Sequence, residues 1–554
     1  MVSRQQKNIV AYLSMEIALE NNIKTYAGGL GVLAGDILRS AADSGFPMVG
    51  VTLLSDRGYL RQKVNKDGQQ VSDPDPGYDF SKLEKLPQKA EIFIGPERVV
   101  VGVWRYLIKG LHGSTVPVYL LDTNVEANSA AHRGLTGRLY GGDMECRLQQ
   151  EIVLGRGGVK ILQALDYQDI KKFHLNEGHG ALAAVELFLD SRAETDDAKV
   201  EEVRKKCVFT THTPLPKAQD IFPIDYLLKY QPDFPSQLAG LSGGSKEINF
   251  TRLGLYFSAY ANAVSQPHQK SSQKMFPEYK INDITNGVNS LTWSASEFRD
   301  LYDKYIPGWR NDNTKLLGAA SIPLNMIWSA HQSAKNRMLQ HIFDQYSEQL
   351  DAEVFTIGFA RRFTPYKRPT FLLQDLERLL AINDKVGKIQ IIYAGKAHPQ
   401  DIIGQDLIRF IYETKKKLAG KIGLVFLEDY DLDKARLMTA GVDLWLNTPE
   451  PPYEASGTSG MKAAHNGVPQ LSTLDGWWPE GYVKDKTGWI IREARDGGHD
   501  LYDVLEKEII PLYYKHSDKW REIMRQTISL NASRFNTGRV LRQYIEEAYG
   551  NEKG

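Results

Sequence analysis

A segment near the C-terminal end of the chain, residues 454–462 (Glu-Ala-Ser-Gly-Thr-Ser-Gly-Met-Lys), has the composition of an anion-binding loop. Its glycines and small hydroxyl residues leave backbone N–H groups open to an anion, and a helix starting near Met461 would add its positive end. A lysine just beyond a phosphate-sized loop suggests an aldehyde cofactor that carries a phosphate and is held as a Schiff base. The alternative is a Gly/Ser-rich loop that caps a helix and leaves Lys462 in solvent.

Two further segments offer contacts to phosphate. Residues 27–36 (Ala-Gly-Gly-Leu-Gly-Val-Leu-Ala-Gly-Asp) lie between an early strand and a helical pattern, and their glycines allow the backbone to approach a phosphate closely. Residues 361–368 (Arg-Arg-Phe-Thr-Pro-Tyr-Lys-Arg) place four cations within eight positions directly after a strand, which favours an anionic ligand. The alternatives are a tight glycine turn and a solvated basic loop.

Polar residues that suit sugar hydroxyls also follow predicted strands. His179 lies in His-Leu-Asn-Glu-Gly-His-Gly (174–180), His212 in Thr-Thr-His-Thr-Pro (210–214), and Asn286 in Ile-Thr-Asn-Gly-Val (284–288). Sugar hydroxyls require closely paired donors and acceptors, which imidazole, amide and carboxylate groups provide. Trp477 and Trp478 could stack on sugar rings, and a place in the core is an equal alternative.

The composition excludes several classes of protein. Across 554 residues, Lys+Arg and Asp+Glu both number 68, so the net charge is zero, which argues against nucleic-acid binding. Cys146 and Cys207 lie far apart without metal-ligand spacing, so we expect neither a metal site nor a disulfide scaffold, and a reducing compartment fits. The sequence shows neither a secretory signal nor a run of the ~20 apolar residues that a membrane helix needs. We therefore expect a cytoplasmic protein without membrane contact.

Short apolar runs alternate with amphipathic segments, which predicts parallel sheets with helical crossovers. The first series of predicted strands covers residues 9–14, 48–54, 100–107, 116–122, 173–175 and 208–211, with a helix over 37–44. The second series covers residues 354–359, 389–394, 422–427, 442–446 and 468–472. We predict an α/β protein with two doubly wound, Rossmann-like domains that face each other across a cleft. The predicted domains are residues 1–290 and 291–554, and the last helices could pack back on the first.

Together these motifs resemble those of the α-glucan phosphorylases, which act on glycogen, starch and maltodextrin and are pyridoxal-phosphate glycosyltransferases of the GT-B fold. The matching motifs run in family order from about residue 10 to 485, which is most of the chain. They are Tyr-Leu-Ser-Met-Glu (12–16), Gly-Gly-Leu-Gly (28–31), Gly-Gly-Asp (141–143), Gln-Glu-Ile-Val-Leu (150–154), Asn-Glu-Gly-His (176–179), Thr-His-Thr (211–213), Thr-Asn-Gly (285–287), residues 361–368, Gly-Lys-Ala (395–397) and residues 454–462. The resemblance implies the GT-B fold, with pyridoxal phosphate as cofactor.

The resemblance also implies a role for each matching residue. Lys462 corresponds to the lysine that binds pyridoxal phosphate, and the other implied cofactor contacts are Thr458, Ser459, Arg361, Tyr430 and Gly28. The groups implied to hold inorganic phosphate are Arg362, Lys367 and the Gly29 backbone. The residues implied to contact the substrate sugar are His179, His212, Asn286, Glu454, Ser456 and Gly457. The implied catalytic set is Lys462, Arg362, Lys367 and His212.

A reaction follows from the same resemblance. It is the retaining phosphorolysis of α-1,4-glucan chain ends by inorganic phosphate, which gives α-D-glucose 1-phosphate, with the phosphate of the cofactor relaying a proton. The implied partners are an α-glucan and phosphate. Relatives are commonly dimers, but part of their dimer contact lies in N-terminal segments that this sequence does not contain, so a homodimer stays an open alternative. The sequence begins at the core motifs, without the N-terminal regulatory extension of animal relatives, so we expect no control of that kind.

Several positions depart from the family pattern and motivate an alternative. Arg156 and Asn289 stand where relatives often carry an apolar residue and a histidine. Gln266, Pro267 and Lys270 replace a cation, an apolar residue and a carboxylate. These changes leave open a non-catalytic glucan-binding relative of the phosphorylases.

A second alternative on the same fold is a nucleotide-sugar glycosyltransferase, such as a glycogen or starch synthase. Those enzymes typically place a second carboxylate eight positions after the first, where it holds the ribose of the donor. In this chain the first carboxylate is Glu454 and the residue eight positions later is Lys462. A cation cannot accept hydrogen bonds from hydroxyl groups, so the spacing argues against the synthase interpretation.

Overall fold

The computed structural model describes residues 8–73, 78–235, 238, 240–242, 246–493 and 499–550. The strands in chain order are β1 (Ile9–Leu13), β2 (Met48–Leu53), β3 (Arg61–Val64), β4 (Gln70–Asp73), β5 (Glu84–Ile94), β6 (Glu97–Lys109), β7 (Thr115–Asp122), β8 (Ile170–Asn176), β9 (Cys207–Thr210), β10 (Ile221–Pro223), β11 (Glu247–Asn249), β12 (Tyr260–Ala263), β13 (Asn282–Asp283), β14 (Phe355–Ala360), β15 (Ile389–Ala394), β16 (Gly423–Leu427), β17 (Leu444–Asn447), β18 (Gln470–Thr473) and β19 (Gly488–Ile491).

The α-helices in this part of the chain are referred to by their bounds. They are Gly29–Ser44, Ala130–Arg133, Met144–Ile152, Gly158–Ala164, Leu182–Asp190, Asp196–Lys206, Ile224–Tyr230, Phe250–Tyr256, Gln266–Met275, Ser290–Trp293, Ser296–Tyr305, Leu324–Tyr346, Leu376–Lys385, Ile402–Leu418, Leu432–Gly441, Ser459–Ala464, Trp478–Gly481, Leu501–Val504, Ile510–Lys515, Ser517–Gln526 and Thr537–Gln543. Among the described residues, no helix has both the length and the apolar character to cross a membrane.

The chain forms two compact units. The first consists of Met1–Tyr59, Asp75–Thr285 and Val540–Gly554, and the second of Leu60–Pro74 and Asn286–Arg539. The domain limits inferred from the sequence were residues 1–290 and 291–554. They differ from the limits of these two units and stay a prediction.

The first unit is built on a nine-stranded sheet with the order β13-β12-β9-β8-β1-β2-β7-β6-β5. The strands from β13 to β7 are parallel, and β6 and β5 extend the sheet in antiparallel fashion. Successive residues of β1 face opposite sides: Ala11 and Leu13 belong to one apolar core, Val10 and Tyr12 to the other. Because both faces are covered, the central strands are continuous apolar runs.

The second unit is built on a six-stranded parallel sheet with the order β16-β15-β14-β17-β18-β19. Numbered along the chain, this order is 3-2-1-4-5-6, the strand order of the Rossmann fold. Its two faces are also covered: Ile391 of β15 packs in one core and Ile392 in the other. Alternation of this kind requires helices on both sides of the sheet.

The parallel strands of the first unit follow the same winding. Counted along the chain from β1, with β7 third and β8 fourth, their order is 3-2-1-4-5-6-7. Each sheet therefore reverses its strand order once, between β1 and β8 in the first unit and between β14 and β17 in the second. The carboxyl ends of strands at such a reversal form a crevice that binds ligands. The predicted α/β class with two doubly wound halves is confirmed.

The polypeptide returns to the first unit at its C-terminal end. Val540, Leu541, Tyr544 and Tyr549 are buried in the core that contains Val10 and Tyr12 of β1. The hydroxyl of Tyr549 lies 2.7 Å from Nδ1 of His174, and the Thr210 hydroxyl lies 2.8 Å from its Nε2. Burial lowers the pKa of His174 to about 3, so this histidine is neutral.

Candidate functional site

The reversal point of the first sheet gathers three of the predicted motifs. β1 leads into the turn that carries Glu16, β8 into Glu177 and His179, and β9 into His212. Since β1, β8 and β9 are adjacent and parallel, their carboxyl ends lie at one edge of the sheet. The sequence placed Glu16 and Glu177 within motifs but gave neither a role.

Glu16 organises the glycine segment that precedes the helix Gly29–Ser44. One carboxylate oxygen accepts hydrogen bonds from the N–H groups of Ala27 (2.7 Å) and Gly28 (3.1 Å), and the other from the Tyr140 hydroxyl (2.7 Å). The Gly28 N–H therefore already donates within the protein. At Gly29, apart from the adjacent residues and the backbone of its own helix, no heavy atom of the described residues lies within 4 Å of the place where a Cβ would stand, so there is space beside this residue for a ligand.

Glu177 positions His212. One of its carboxylate oxygens accepts hydrogen bonds from the His212 N–H (2.6 Å) and the Thr213 hydroxyl (3.0 Å), and the other from the Gly178 N–H. Burial raises the pKa of Glu177 despite these donors. Its φ of 75° is unusual for a residue with a side chain, and such strain is typical of functional turns.

The His212 ring lies 2.7 Å, through Nε2, from the amide oxygen of Asn176. That amide donates its N–H to Ser14, so its oxygen faces the ring and Nε2 carries the proton. Burial, with the nearby His268, His174 and His179, lowers the pKa of His212 to about 3. His212 is therefore a neutral group whose Nδ1 can accept a hydrogen bond.

His179 belongs to a charged cluster in the same unit. Its Nε2 lies 3.0 Å from Asp220, and the ligand atoms of His179, Asp220 and Glu151 lie within 4.8 Å of one another. Arg147 Nε lies 2.8 Å from Glu151 and 3.3 Å from Asp220. Burial favours neutral Asp220, but Arg147 and His179 hold its pKa below the usual range. Because the guanidinium already supplies the positive charge, this donor set does not favour a metal ion.

The reversal point of the second sheet holds a buried ion cluster. Arg361 directly follows β14, and Lys367 lies in the 3₁₀ turn Pro365–Lys367 that comes next. Glu454, in the loop after β17, accepts from Arg361 Nη2 at 2.8 Å and from Lys367. Burial favours neutral Glu454, but the two cations lower its pKa, so the carboxylate is ionised.

Asp475 fixes the position of Glu454. Its carboxylate accepts hydrogen bonds from the N–H groups of Glu454 and Gly476, both at 2.8 Å. Burial and the charge of Glu454 raise the pKa of Asp475 to about 6. Asp475 lies in Thr-Leu-Asp-Gly-Trp (473–477), 13 positions after Lys462, and none of the sequence motifs described above includes it.

Buried polar atoms in this cluster lack a partner within the described part of the chain. They include Nη1 of Arg361 and Oγ of Ser456. Gly457 has a φ of 76°, and a Cβ there would lie 3.0 Å from a Glu454 oxygen and 3.3 Å from Arg361 Nη2. A donor-rich space with an unsatisfied guanidinium nitrogen fits an anion.

Lys462 lies in the helix Ser459–Ala464, which begins two residues before the predicted start at Met461. The lysine is 7% exposed, and its Nζ lies 3.9 Å from the ring centre of Trp293. At the start of the helix, the Ser459 hydroxyl accepts a hydrogen bond from Trp445 at 3.1 Å, and Thr458 is the N-cap. A buried lysine over an indole ring contradicts the alternative in which it is solvated.

The other predicted site residues of the second unit are placed as follows. Tyr430 comes after β16, and burial raises the pKa of its hydroxyl. Arg362 is exposed next to Arg361. Asn286 is buried, and its carbonyl accepts a hydrogen bond from Arg539 at 3.1 Å.

Trp477 and Trp478 belong to the core rather than to a sugar-stacking surface. They are only 2% and 0% exposed, and their rings are 5.2 Å apart. Of the two alternatives that the sequence left open for this pair, the place in the core is correct.

Two of the departures from the family pattern have local explanations. Arg156 makes a bidentate ion pair with Asp233, with both N–O distances at 2.8 Å, and also contacts Glu186 at 2.5 Å. Asn289 caps the helix Ser290–Trp293 by accepting a hydrogen bond from the Thr292 N–H at 2.9 Å.

The predicted site residues thus fall into both units. Those of the first unit are Gly28, Gly29, His179 and His212. Those of the second are Asn286, Arg361, Arg362, Lys367, Tyr430, Glu454, Ser456, Gly457, Thr458, Ser459 and Lys462. The roles assigned to them stay predictions.

Comparison with known proteins finds similarity to carbohydrate phosphorylases over nearly the whole chain. A family model for carbohydrate phosphorylases matches residues 235–480. The glycogen phosphorylase of Aquifex aeolicus is 38% identical over 98% of this chain and 86% of its own. The maltodextrin phosphorylase of Thermococcus litoralis is 36% identical over 98% of this chain and 70% of its own. An uncharacterized protein of Methanocaldococcus jannaschii is 32% identical over 97% of this chain and 99% of its own.

Proposed function

The chain belongs to the carbohydrate phosphorylase family, and we propose that it is an α-glucan phosphorylase. It would cleave the terminal α-1,4 bond of a glycogen, starch or maltodextrin chain with inorganic phosphate and release α-D-glucose 1-phosphate. The observation that carries the proposal is the buried cluster of Arg361, Lys367 and Glu454 at the reversal point of the second sheet. The cytoplasmic location expected from the sequence stays a prediction, and the homodimer stays an open alternative.

The residues around this cluster fit pyridoxal phosphate. Nη1 of Arg361 is buried without a partner among the described residues, and Gly457 keeps the adjoining space free of a side chain. Lys462 would hold the aldehyde carbon, and Thr458, Ser459 and Arg361 would hold the phosphate. When bound, pyridoxal phosphate would supply a second phosphate group that can hold or release a proton beside the substrate phosphate.

The protein's own groups offset the charge of an anionic site. Two phosphates repel each other unless cations lie among them, and Arg361, Arg362 and Lys367 supply three positive charges at one strand end. Arginine offers forked donors, whereas lysine acts as a point charge. Because Glu454 is ionised, it can accept hydrogen bonds from sugar hydroxyls, and Asp475 keeps its backbone in place.

The histidines of the first unit suit recognition of a neutral sugar. His212 is neutral, and its ring orientation is fixed by Asn176 while Glu177 holds its backbone. Its Nδ1 and its carbonyl are acceptors, which match the donors of glucosyl hydroxyl groups. Because His212 stays neutral, it can accept hydrogen bonds from hydroxyl groups throughout the pH range in which an ordinary histidine becomes protonated.

The direct test measures the release of glucose 1-phosphate from a maltodextrin. We expect release that requires inorganic phosphate and increases with added pyridoxal phosphate, and no incorporation from a nucleotide sugar. Dependence on a sugar nucleotide would instead establish a synthase. Protein that binds glucan and cofactor without turnover would establish the non-catalytic alternative.

A substitution at Lys462 tests the cofactor assignment separately. Lys462→Arg keeps the positive charge but cannot bond covalently to the aldehyde, so the folded variant should lack pyridoxal absorbance and activity. Lys434→Arg, a partly buried lysine on the helix Leu432–Gly441, is the matched control and should keep both. Full phosphorolysis by Lys462→Arg would contradict the assignment.

A further inference from the structure

Arg368 is the last cation of the basic segment 361–368, and the proposed reaction gives it no role. Its guanidinium group binds two backbone carbonyls of the loop that follows β17. Nε donates to the carbonyl of Thr448 at 2.8 Å, and Nη2 donates to the carbonyl of Pro449 at 2.9 Å. Two adjacent carbonyls match the forked donors of arginine, so these bonds fix the guanidinium in one orientation.

The positive charge of Arg368 is balanced by a neighbouring carboxylate. Nη2 also forms an ion pair with Glu493, two residues after β19, and the guanidinium carbon lies 4.3 Å from the ring centre of Phe371. A guanidinium that is paired with a carboxylate and with two carbonyls adds little attraction for a further anion. These contacts therefore indicate that Arg368 connects two loops rather than binds a ligand.

Thr448 connects the same two loops from the other side. Its buried hydroxyl donates towards the carbonyls of Lys367 and Arg368, at 3.1 and 3.0 Å. The loop that begins at Thr448 also carries Glu454, which accepts a hydrogen bond from Nζ of Lys367. The contacts of Arg368 and Thr448 therefore fix the backbone of Lys367 relative to the loop that carries its counter-ion.

The backbone of Arg368 has an unfavourable conformation. Its φ of 47° lies in the left-handed region, which a residue with a Cβ rarely adopts, and its N–H donates to the Pro365 carbonyl at 2.9 Å. Such conformations persist where the surrounding structure compensates for them. Here the contacts of the guanidinium provide this compensation, so their loss should loosen the 3₁₀ turn Pro365–Lys367.

We propose that Arg368 is a positioning residue whose guanidinium group holds Lys367 in place for inorganic phosphate. It acts through the turn and does not touch the phosphate itself. Lysine cannot take over this role, because a single ammonium group is a point charge without the planar fork that reaches both carbonyls. The proposal rests on the proposed function for the identity of the anion.

The test compares Arg368→Lys, which keeps the charge, with Arg368→Met, which loses it. Both are made in the full-length protein with pyridoxal phosphate added, and isothermal titration calorimetry measures the binding of inorganic phosphate. Arg378→Lys and Arg378→Met are the matched controls, because Arg378 of the same unit pairs only with the carboxylates of Asp503 and Glu506 among the described residues. Thermal unfolding checks that all four variants are folded.

We expect both Arg368 variants to bind phosphate about tenfold more weakly, as the loss of a well-placed charged contact predicts. The KM for phosphate should rise with the dissociation constant, whereas the KM for maltodextrin should stay within about twofold of wild type. Pyridoxal absorbance should be unchanged, because Lys462 is not part of this connection. The Arg378 variants should bind phosphate as wild type does.

A double-mutant cycle shows whether Arg368 acts through Lys367. In a Lys367→Met background the further change Arg368→Met should alter the phosphate dissociation constant by less than about twofold, because the group that it positions is already absent. Thr448→Val removes the connection from the other side and should weaken phosphate binding about threefold. This variant supplies the measurement if Arg368→Met does not fold.

The proposal is overturned if Arg368→Lys binds phosphate as wild type does, since the charge alone would then suffice. It is also overturned if Arg368→Met has the same effect with and without Lys367, or if the wild-type protein binds no phosphate. The proposed function fails separately: a protein whose phosphate affinity follows the expected pattern but that releases no glucose 1-phosphate keeps the role of Arg368 and loses the reaction.

Discussion

At the scale of single residues, Glu454 acts as the counter-ion of a site built for anions. Arg361 and Lys367 both contact one of its carboxylate oxygens, and all three side chains are largely buried. Leaving cations unpaired in such an environment is strongly unfavourable. An incoming inorganic phosphate therefore competes with Glu454 for Lys367, and the displaced carboxylate becomes available to sugar hydroxyls. Binding of phosphate and of glucan would then be coupled through this one side chain.

The variant Glu454→Gln separates these two roles. Loss of the negative charge removes the competitor of phosphate, so the KM for phosphate should fall by about threefold to tenfold. Loss of the acceptor for sugar hydroxyls should lower kcat by about 100-fold. Initial rates of glucose 1-phosphate release at varied phosphate concentration measure both parameters.

Glu450→Gln is the control for this experiment. Glu450 is an exposed carboxylate four positions away in the same loop. Glu450→Gln therefore removes one negative charge from this loop, as Glu454→Gln does, but leaves the buried cluster intact. We expect both kinetic parameters of this variant to stay near wild type. A rise in the KM for phosphate in Glu454→Gln would refute the competition between carboxylate and phosphate.

The chemistry of individual residues could be predicted only in part from the sequence. Motif spacing singled out Arg361, Lys367 and Glu454, and the structure brings these three together. Motif spacing could not assign a role to Glu177 or Asp475, because their roles depend on hydrogen bonds to backbone groups of distant residues. A carboxylate directly after a strand, or inside a Gly-rich turn, was the available signal.

At the scale of elements, the sequence pattern was informative where strands are buried on both faces. The apolar run at residues 389–394 matches β15, and the other predicted strands lie within a few residues of the observed ones. The edge strand β5 was missed because exposed and buried residues alternate along it and its pairing with β6 is interrupted by a bulge. The helix predicted over residues 37–44 extends back to Gly29, since packing overrides the low helix propensity of its glycines.

Residues 60–74 show what a local pattern cannot predict. The hairpin of β3 and β4 belongs to the second unit although the chain around it belongs to the first. It is held there by side chain–backbone hydrogen bonds. The Gln62 side-chain amide donates to the carbonyl of Gly395 at 2.9 Å, and the Gln62 backbone N–H donates to the Asp429 carboxylate at 3.0 Å. Pairing across more than 300 positions leaves no periodic signal in the sequence.

The C-terminal segment carries a prediction at this scale. Val540, Leu541, Tyr544 and Tyr549 are buried in the first unit, and each such side chain contributes about 1.5–3 kcal/mol of burial energy. Truncation after Arg539 should therefore reduce the protection of β8 and β9 in hydrogen–deuterium exchange by several-fold or more, while β14 and β15 stay protected.

Tyr549→Phe is a milder variant of the same experiment. It keeps the ring and removes only the hydroxyl that lies 2.7 Å from His174, which should lower the stability of the first unit by about 1 kcal/mol. If truncation instead lowered protection equally in both sheets, the segment would not be a specific part of the first unit.

At the scale of the whole molecule, both units contain histidines that are neutral because they are buried. Burial lowers the pKa of His174 to about 3 and that of His268 to about 4 in the first unit, and that of His465 to about 4 in the second. In the unfolded chain a histidine has a pKa of about 6.5. Between these values the unfolded state binds more protons than the folded state, so acidification favours unfolding.

Because unfolding of these regions takes up protons, the stability of the protein should fall as the pH falls. The contribution of each buried histidine is fully present above pH 6.5 and is lost as the pH falls towards its folded pKa, by up to about 1.4 kcal/mol per pH unit. His174→Gln should lower stability at pH 7, because contacts with Tyr549 and Thr210 are lost, and should also flatten the pH dependence of the first unit. Exchange protection of β8 at pH 7, 6 and 5, corrected for the intrinsic rate, measures both effects. His516 is exposed, so His516→Gln should leave the dependence of this protection on pH unchanged. If protection in His174→Gln fell with pH in parallel with wild type, His174 would not be a source of the acid sensitivity.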